Sequence, residues 1–143
     1  MITKSFFIPI TPVAKGRPRF SRRGKFVCTY TPRKTVDYES LLRMYLLPYR
    51  PGNLPMGPCR AEFIFWMPRP GNAKNLKWHI RKPDGDNLVK ALMDTMNKSF
   101  FNDDSQLCDY RIQKRYGDSS NLIGIQVNIK MMESEKDLDF DVQ

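Results

Sequence analysis

Lys82-Pro83-Asp84-Gly85-Asp86-Asn87-Leu88-Val89-Lys90 carries two carboxylates one residue apart, behind a proline and around a glycine. A helical pattern begins at once behind them. With Asp86 at angle zero and 100° per residue, Lys90 falls at about 40°, Asp94 at about 80° and Asn97 at about 20°. Leu88, Val89, Leu92, Met93 and Met96 fall between about 200° and 340° on the same wheel. One apolar stripe therefore faces one polar stripe, the mark of a helix laid against a core. The polar stripe gathers acids and a lysine, and a second acidic pair, Asp103-Asp104, follows shortly after the helix.

Downstream, Cys108, Tyr110, Ile112, Lys114 and Tyr116 alternate with Leu107, Asp109, Arg111, Gln113 and Arg115. Ile123, Ile125, Val127 and Ile129 alternate with polar partners beyond a Gly117–Asn121 turn. Period-2 alternation predicts two strands, expected to pair as a hairpin under a helix. Upstream, Cys59–Met67 alternates Ala61, Phe63, Phe65 and Met67 with Arg60, Glu62, Ile64 and Trp66. Its second face is apolar enough to need cover. Ser5–Ile10 predicts a short strand, with Pro9 at its end or on a sheet edge, and Lys25–Tyr30 another. Thr31-Pro32 predicts a helix start, with Thr31 as cap and Tyr38, Leu41, Leu42 and Tyr45 as its core stripe, stopped by Pro48. The expected fold is α+β: a single domain over 1–132, a mixed sheet of about five strands and two principal helices. Residues 133–143, with five acids against Lys136, are expected to be a mobile tail.

The 143-residue chain is long enough for one well-buried core. No apolar run approaches the ~20 residues of a membrane span, and Met1–Ile10 lacks the pattern of a secretory leader. Cys28, Cys59 and Cys108 form no Cys-x-x-Cys pair, so reduced thiols in a cytoplasmic protein are expected. The net charge of +9 is strongly segregated. Residues 1–36 hold Lys4, Lys15, Arg17, Arg19, Arg22, Arg23, Lys25, Arg33 and Lys34 and no acid, while acids and bases balance in the remainder. A polyanionic partner follows.

Two stretches would meet that polyanion. Pro12–Gly24 is too rich in proline, glycine and arginine for a regular element, and offers Lys15, Arg17, Arg19, Arg22 and Arg23 to phosphates. Pro68–Lys82 offers Lys74, Lys77, Arg81 and Lys82, with Arg69 beside them. Trp78 in that loop suits stacking on a base or, equally, partial burial as an anchor. His79, the single histidine, reads as a loop residue.

Asp84, Asp86 and Asp104 brought together without a cation would repel, by about 4 kcal/mol for a pair 4 Å apart at an effective dielectric near 20. With no histidine cluster or paired cysteine, the donors suit a hard cation such as Mg²⁺. Such an ion acidifies a coordinated water and neutralises a phosphate, and Lys90 could add positive charge at the transition state. Plainer readings stand beside this one. Asp84 or Asp86 could simply cap a helix or shape a Pro-Asp-Gly turn, Asp103-Asp104 could be a solvated loop, and Asp94 could pair with Lys90. An EF-hand is excluded, because Leu88-Val89 stand where it needs a ligand and a glycine.

KPDGDNLVKALMDTMN…FFNDDSQ resembles the signature of RusA-type Holliday junction resolvases: a Pro-Asp-x-Asp-Asn-Leu-x-Lys run, an aspartate four residues on and an Asp-Asp-x-Gln loop. KGRPRF and YTP near the N-terminus resemble the same family, so the likeness spans most of the chain. Gly85 departs from the family's apolar residue between the first two aspartates. The resemblance implies a Mg²⁺-dependent homodimeric endodeoxyribonuclease, with Mn²⁺ able to substitute, that nicks four-way DNA junctions symmetrically to leave 5′-phosphates and 3′-hydroxyls. It implies catalytic roles for Asp84, Asp86, Asp104 and Lys90, with Asp103 as an additional metal ligand. Two rivals are a nuclease for flaps or replication forks and a non-catalytic module that binds branched DNA.

Overall fold

Four strands form one mixed sheet in the order β1-β6-β4-β5 in a computed structural model that describes residues 1–118 and 122–134. These are β1 (Ile2–Ile8), β4 (Cys59–Met67), β5 (Leu107–Tyr116) and β6 (Gly124–Met131). A separate two-stranded ribbon pairs β2 (Arg19–Arg23) with β3 (Phe26–Tyr30). The helices are α1 (Arg33–Leu46) and α2 (Gly85–Met96). The expected α+β class, mixed sheet and helix pair are therefore present, with four strands in the sheet and two outside it. The expected acidic tail lies almost wholly outside the described residues, as does part of the Gly117–Asn121 turn.

The core lies between the helices and one sheet face. Leu88, Val89, Leu92 and Met96 of α2 are buried, as their spacing predicts, against Phe63, Phe65, Ile125 and Val127. The other face of β4 does find cover: Ile64 and Trp66 are buried, and the Arg115 guanidinium lies 5.4 Å from the Trp66 ring centre.

The partner of β5 differs from the hairpin expectation. β5 runs parallel to β4, while β6 inserts antiparallel between β1 and β4. A parallel neighbour needs a long crossover; here that crossover contains α2. Alternation along a strand says which face is buried but not which strand lies beside it.

α1 is displaced from its expected stripe. Thr35, Tyr38, Glu39, Leu42 and Leu46 are buried, whereas Leu41 and Tyr45 are exposed. Two polar residues occupy buried positions because each has a partner. Thr35 Oγ1 accepts from the Gly16 amide at 3.1 Å, and Glu39 accepts from Lys15 Nζ. The cap residue is Pro32, without a side-chain hydrogen bond, so Thr31 does not cap the helix as expected. The first strand is shifted toward the N-terminus, leaving Pro9 just past its end.

His79 is buried rather than a free loop residue. Its backbone N–H donates to the Lys114 carbonyl at 3.0 Å, and its ring meets the edge of Tyr116. Burial first, then the positive charges of Lys114 and Arg81, hold its pKa below the usual histidine value of 6.5. The unfolded chain therefore takes up a proton near pH 6.5 before the folded chain does. Stability is fully retained above that pH and falls as pH drops toward the folded pKa, by no more than ~1.4 kcal/mol per pH unit for one proton. Thermal melts between pH 7.5 and 5 should show a smaller decline in His79→Gln than in wild type.

Candidate active site and DNA-binding groove

Asp84 and Asp86 share the start of α2. Asp84 is the N-cap residue and Asp86 lies in the first turn, both exposed. Both carboxylates thus stand at the positive end of the helix dipole. Asp84 makes no capping hydrogen bond; its Oδ2 instead meets Lys82 Nζ at 3.2 Å. The capping alternative for Asp84 is thus not the one the fold uses.

Lys114 fixes the turn that delivers this pair. Its Nζ donates to the carbonyls of Arg81 and Pro83, both at 2.8 Å. Burial lowers its pKa, opposed by Asp84 and reinforced by Lys82. This residue was visible in the sequence as a lysine in the otherwise apolar series Tyr110, Ile112, Lys114, Tyr116. A cation in that series signals a buried carbonyl or carboxylate partner.

Lys90 is exposed on α2, one turn beyond Asp86. Asp94 does not pair with it. Lys15 Nζ lies 3.2 Å from Asp94 Oδ2 and also contacts Glu39, while the Lys15 backbone N–H donates to the Asn87 carbonyl at 3.1 Å. Lys15 was expected at the phosphates; its ammonium is instead held by two carboxylates, so it tethers the basic segment to both helices. Gly16 completes the tether, since a Cβ there would stand 2.3 Å from Thr35 Oγ1.

A groove of about 830 Å³ lies along the tethered segment and reaches Asp84. Arg17, Arg19 and Lys34 line it together with Lys82, Asp84 and Asn87. The most basic quarter of the chain thus reaches the start of α2. Arg22 and Arg23 lie further along the β2–β3 ribbon, so the second half of the expected basic loop is a strand. Lys77 belongs to a different depression, with Trp66, Arg69, Arg115 and Tyr116. Lys74 and Arg81 are exposed outside both. Arg69 serves the fold, donating to the carbonyls of Ala73, Lys74 and Leu76. Trp78 is half-exposed, with the Arg115 guanidinium 4.6 Å from its ring centre.

Asp103 and Asp104 form a distinct corner. Asp103 caps a short 3-10 turn, Asp104–Gln106: its Oδ2 accepts from the Ser105 amide at 3.1 Å and from the Ser105 hydroxyl. The hydroxyl first, then the amide, lowers the Asp103 pKa. Gln106 Nε2 donates to the carbonyls of Pro55 and Gly57, both at 2.9 Å, pinning this turn to the connector before β4.

Asp84 and Asp86 both stand at the start of α2, and Asp104 does not join them. Among the described residues, no three His, Cys, Asp or Glu side chains are grouped so as to hold one metal ion. The topology accounts for the division. Asp84 and Asp86 begin the crossover helix, which is about 18 Å long at 1.5 Å per residue, and Asp104 follows its far end. The chemistry of the pair nevertheless fits a hard cation: oxygen donors, solvent access and no competing soft ligand.

Removing Arg17 and Arg19 together should weaken DNA binding and flatten its salt dependence. Two lost phosphate contacts reduce the log–log slope on duplex DNA by about 1.8. Binding titrations over a salt series check this, and an unchanged slope would place the DNA elsewhere.

Residues 9–130 match the family model described as Endodeoxyribonuclease RusA. A Bacillus subtilis (strain 168) chain described as uncharacterized protein YqaN is 30% identical over 118 residues, covering 75% of this chain and 83% of that one.

Proposed function

This chain belongs to the RusA family of endodeoxyribonucleases, and from that membership we propose that it resolves Holliday junctions by paired symmetric nicks in DNA recombination and repair. The observation that supports this reading is the groove in which Arg17, Arg19 and Lys82 stand beside Asp84. It sets basic side chains suited to phosphates beside a carboxylate at the start of a helix.

A hard divalent cation, Mg²⁺ or Mn²⁺, when bound supplies charge to the scissile phosphate and acidifies a water. Asp84 and Asp86 would hold that cation; Asp103 and Asp104, at the far end of α2, stand apart from it. Arg17, Arg19 and Lys82 bind the flanking phosphates and set the strand's direction. Lys90 projects from the same helix and offsets negative charge as the phosphodiester opens. Lys114 keeps the Asp84 turn fixed, so the carboxylates need little reorganisation.

Two opposed cuts call for two equivalent sites, which a two-fold dimer provides. Val36, Leu41, Met44 and Tyr45 leave apolar surface exposed on α1, where a second copy could pack. Among the described residues no helix is long and apolar enough to cross a membrane. A bacterial or prophage-encoded protein acting on DNA in the cytoplasm is the reading that agrees with the family.

The test is incubation with a synthetic mobile four-way junction, with and without Mg²⁺, alongside flap, fork and linear duplex substrates. Symmetric Mg²⁺-dependent nicks near the branch, giving 5′-phosphates, are expected. Preferred cutting of flaps or forks would reassign the substrate, and binding without cutting would leave a non-catalytic module.

A further inference from the structure

Among the described residues, none covers the large aromatic side chains that the β2–β3 ribbon displays. Phe20 is 75% exposed, Phe26 76% and Tyr30 48%. Phe26 directly follows the two-residue Gly24-Lys25 turn, where Gly24 has a φ of 58°. Glycine meets that left-handed requirement without the penalty of a Cβ. The turn therefore places Phe26 at the tip, opposite Arg23.

Paired residues in an antiparallel ladder share a face. Arg23 and Phe26 share one face with Arg19 and Tyr30, while Phe20 shares the other with Thr29. Both faces thus expose an aromatic ring. An isolated two-stranded hairpin is at best marginally stable in water, and exposed rings add no core to it. The ribbon also carries Arg19, Arg22, Arg23 and Lys25 and no acid. A polyanion with accessible base faces complements this combination, because aromatic rings stack on unpaired bases without regard to sequence. Intact duplex hides its base faces within the stack. At a branch point, where duplex arms diverge, base faces can meet both sides of an inserted ribbon.

We propose that the β2–β3 ribbon is a wedge for branched DNA: Phe26 stacks on a base at the branch point while Arg23 and Lys25 contact the flanking phosphates. This inference rests on the nuclease reading and adds the means by which branched DNA would be told from linear DNA. Phe20, on the opposite face, supports a second base.

The experiment uses the full chain without divalent cation and a synthetic four-way junction carrying 2-aminopurine beside the branch, with linear duplex of matching sequence as control. Wild type should alter the junction probe's fluorescence, reporting changed base stacking. Phe26→Ala should lose that response and bind the junction about tenfold more weakly, with duplex binding nearly unchanged. Phe26→Trp should restore both. Arg22→Ala should weaken junction and duplex binding alike and retain the probe response. If wild type prefers the junction but Phe26→Ala matches it in affinity and fluorescence, the wedge is overturned and the nuclease reading stands. If wild type shows no preference for branched DNA, the wedge and the junction-resolving reading both fall.

Discussion

Asp86→Asn is expected to remove strand cleavage, by about 10³-fold or more, while junction binding is retained or tightened. The asparagine keeps the size and one carbonyl oxygen of the carboxylate but loses its charge. A metal ion contributes several kcal/mol of transition-state charge stabilisation, and each 1.36 kcal/mol is about tenfold in rate. Binding should not suffer, because Asp86 is exposed on the helix's first turn and the change removes a negative charge near phosphates. Its removal forfeits a favourable helix-dipole interaction of only about 0.3–1 kcal/mol. Single-turnover cleavage and electrophoretic binding on the same junction separate the two effects. Cleavage at the wild-type rate would remove Asp86 from the ligand set.

Lys90→Ala is expected to lower single-turnover cleavage by about 10²-fold and junction affinity by far less. Removing one preorganised donor to developing negative charge has an effect on the order of 10²–10³ in rate. The structure suits this role: Lys90 is exposed, and Asp94, its neighbour one turn on, is engaged by Lys15. Lys90→Arg retains the charge but changes its shape and reach, so partial recovery is expected. Equal losses in rate and affinity would make Lys90 a DNA contact instead. Helical content by circular dichroism should be unchanged in either variant, since the side chain faces away from the core.

Elements with a buried face were legible in the sequence. Leu88, Val89, Leu92 and Met96 recur at helical spacing because they pack on the sheet, and Ile125, Val127 and Ile129 alternate because β6 is central. Arg19–Arg23 was hidden for the opposite reason: its strand buries no face, so no hydrophobic period marks it. The true stripe of α1 was obscured by Thr35 and Glu39, polar residues made compatible with burial by partners in the Lys15-Gly16 segment. Long-range pairing was equally hidden. Nothing local in Leu107–Tyr116 distinguishes a parallel neighbour from the hairpin partner expected of it.

The candidate site was legible in part for related reasons. The adjacency of Asp84 and Asp86 follows from their spacing at a helix start. That Arg17 and Arg19 share a groove with Asp84 depends on contacts made by Lys15 and Gly16 across the chain. No residue pattern announces those contacts. The role of Gln106 likewise emerged only with the fold, because its amide reaches carbonyls of a distant connector.

Cleavage as proposed depends most on the acidic pair at the start of α2 binding a divalent cation. Electron paramagnetic resonance of Mn²⁺, titrated into wild type and into the Asp84→Asn/Asp86→Asn double variant with the same junction present, measures this directly. Wild type is expected to hold a bound Mn²⁺ population that the double variant lacks, with both proteins still on the DNA. Equal Mn²⁺ occupancy in the two proteins would contradict it.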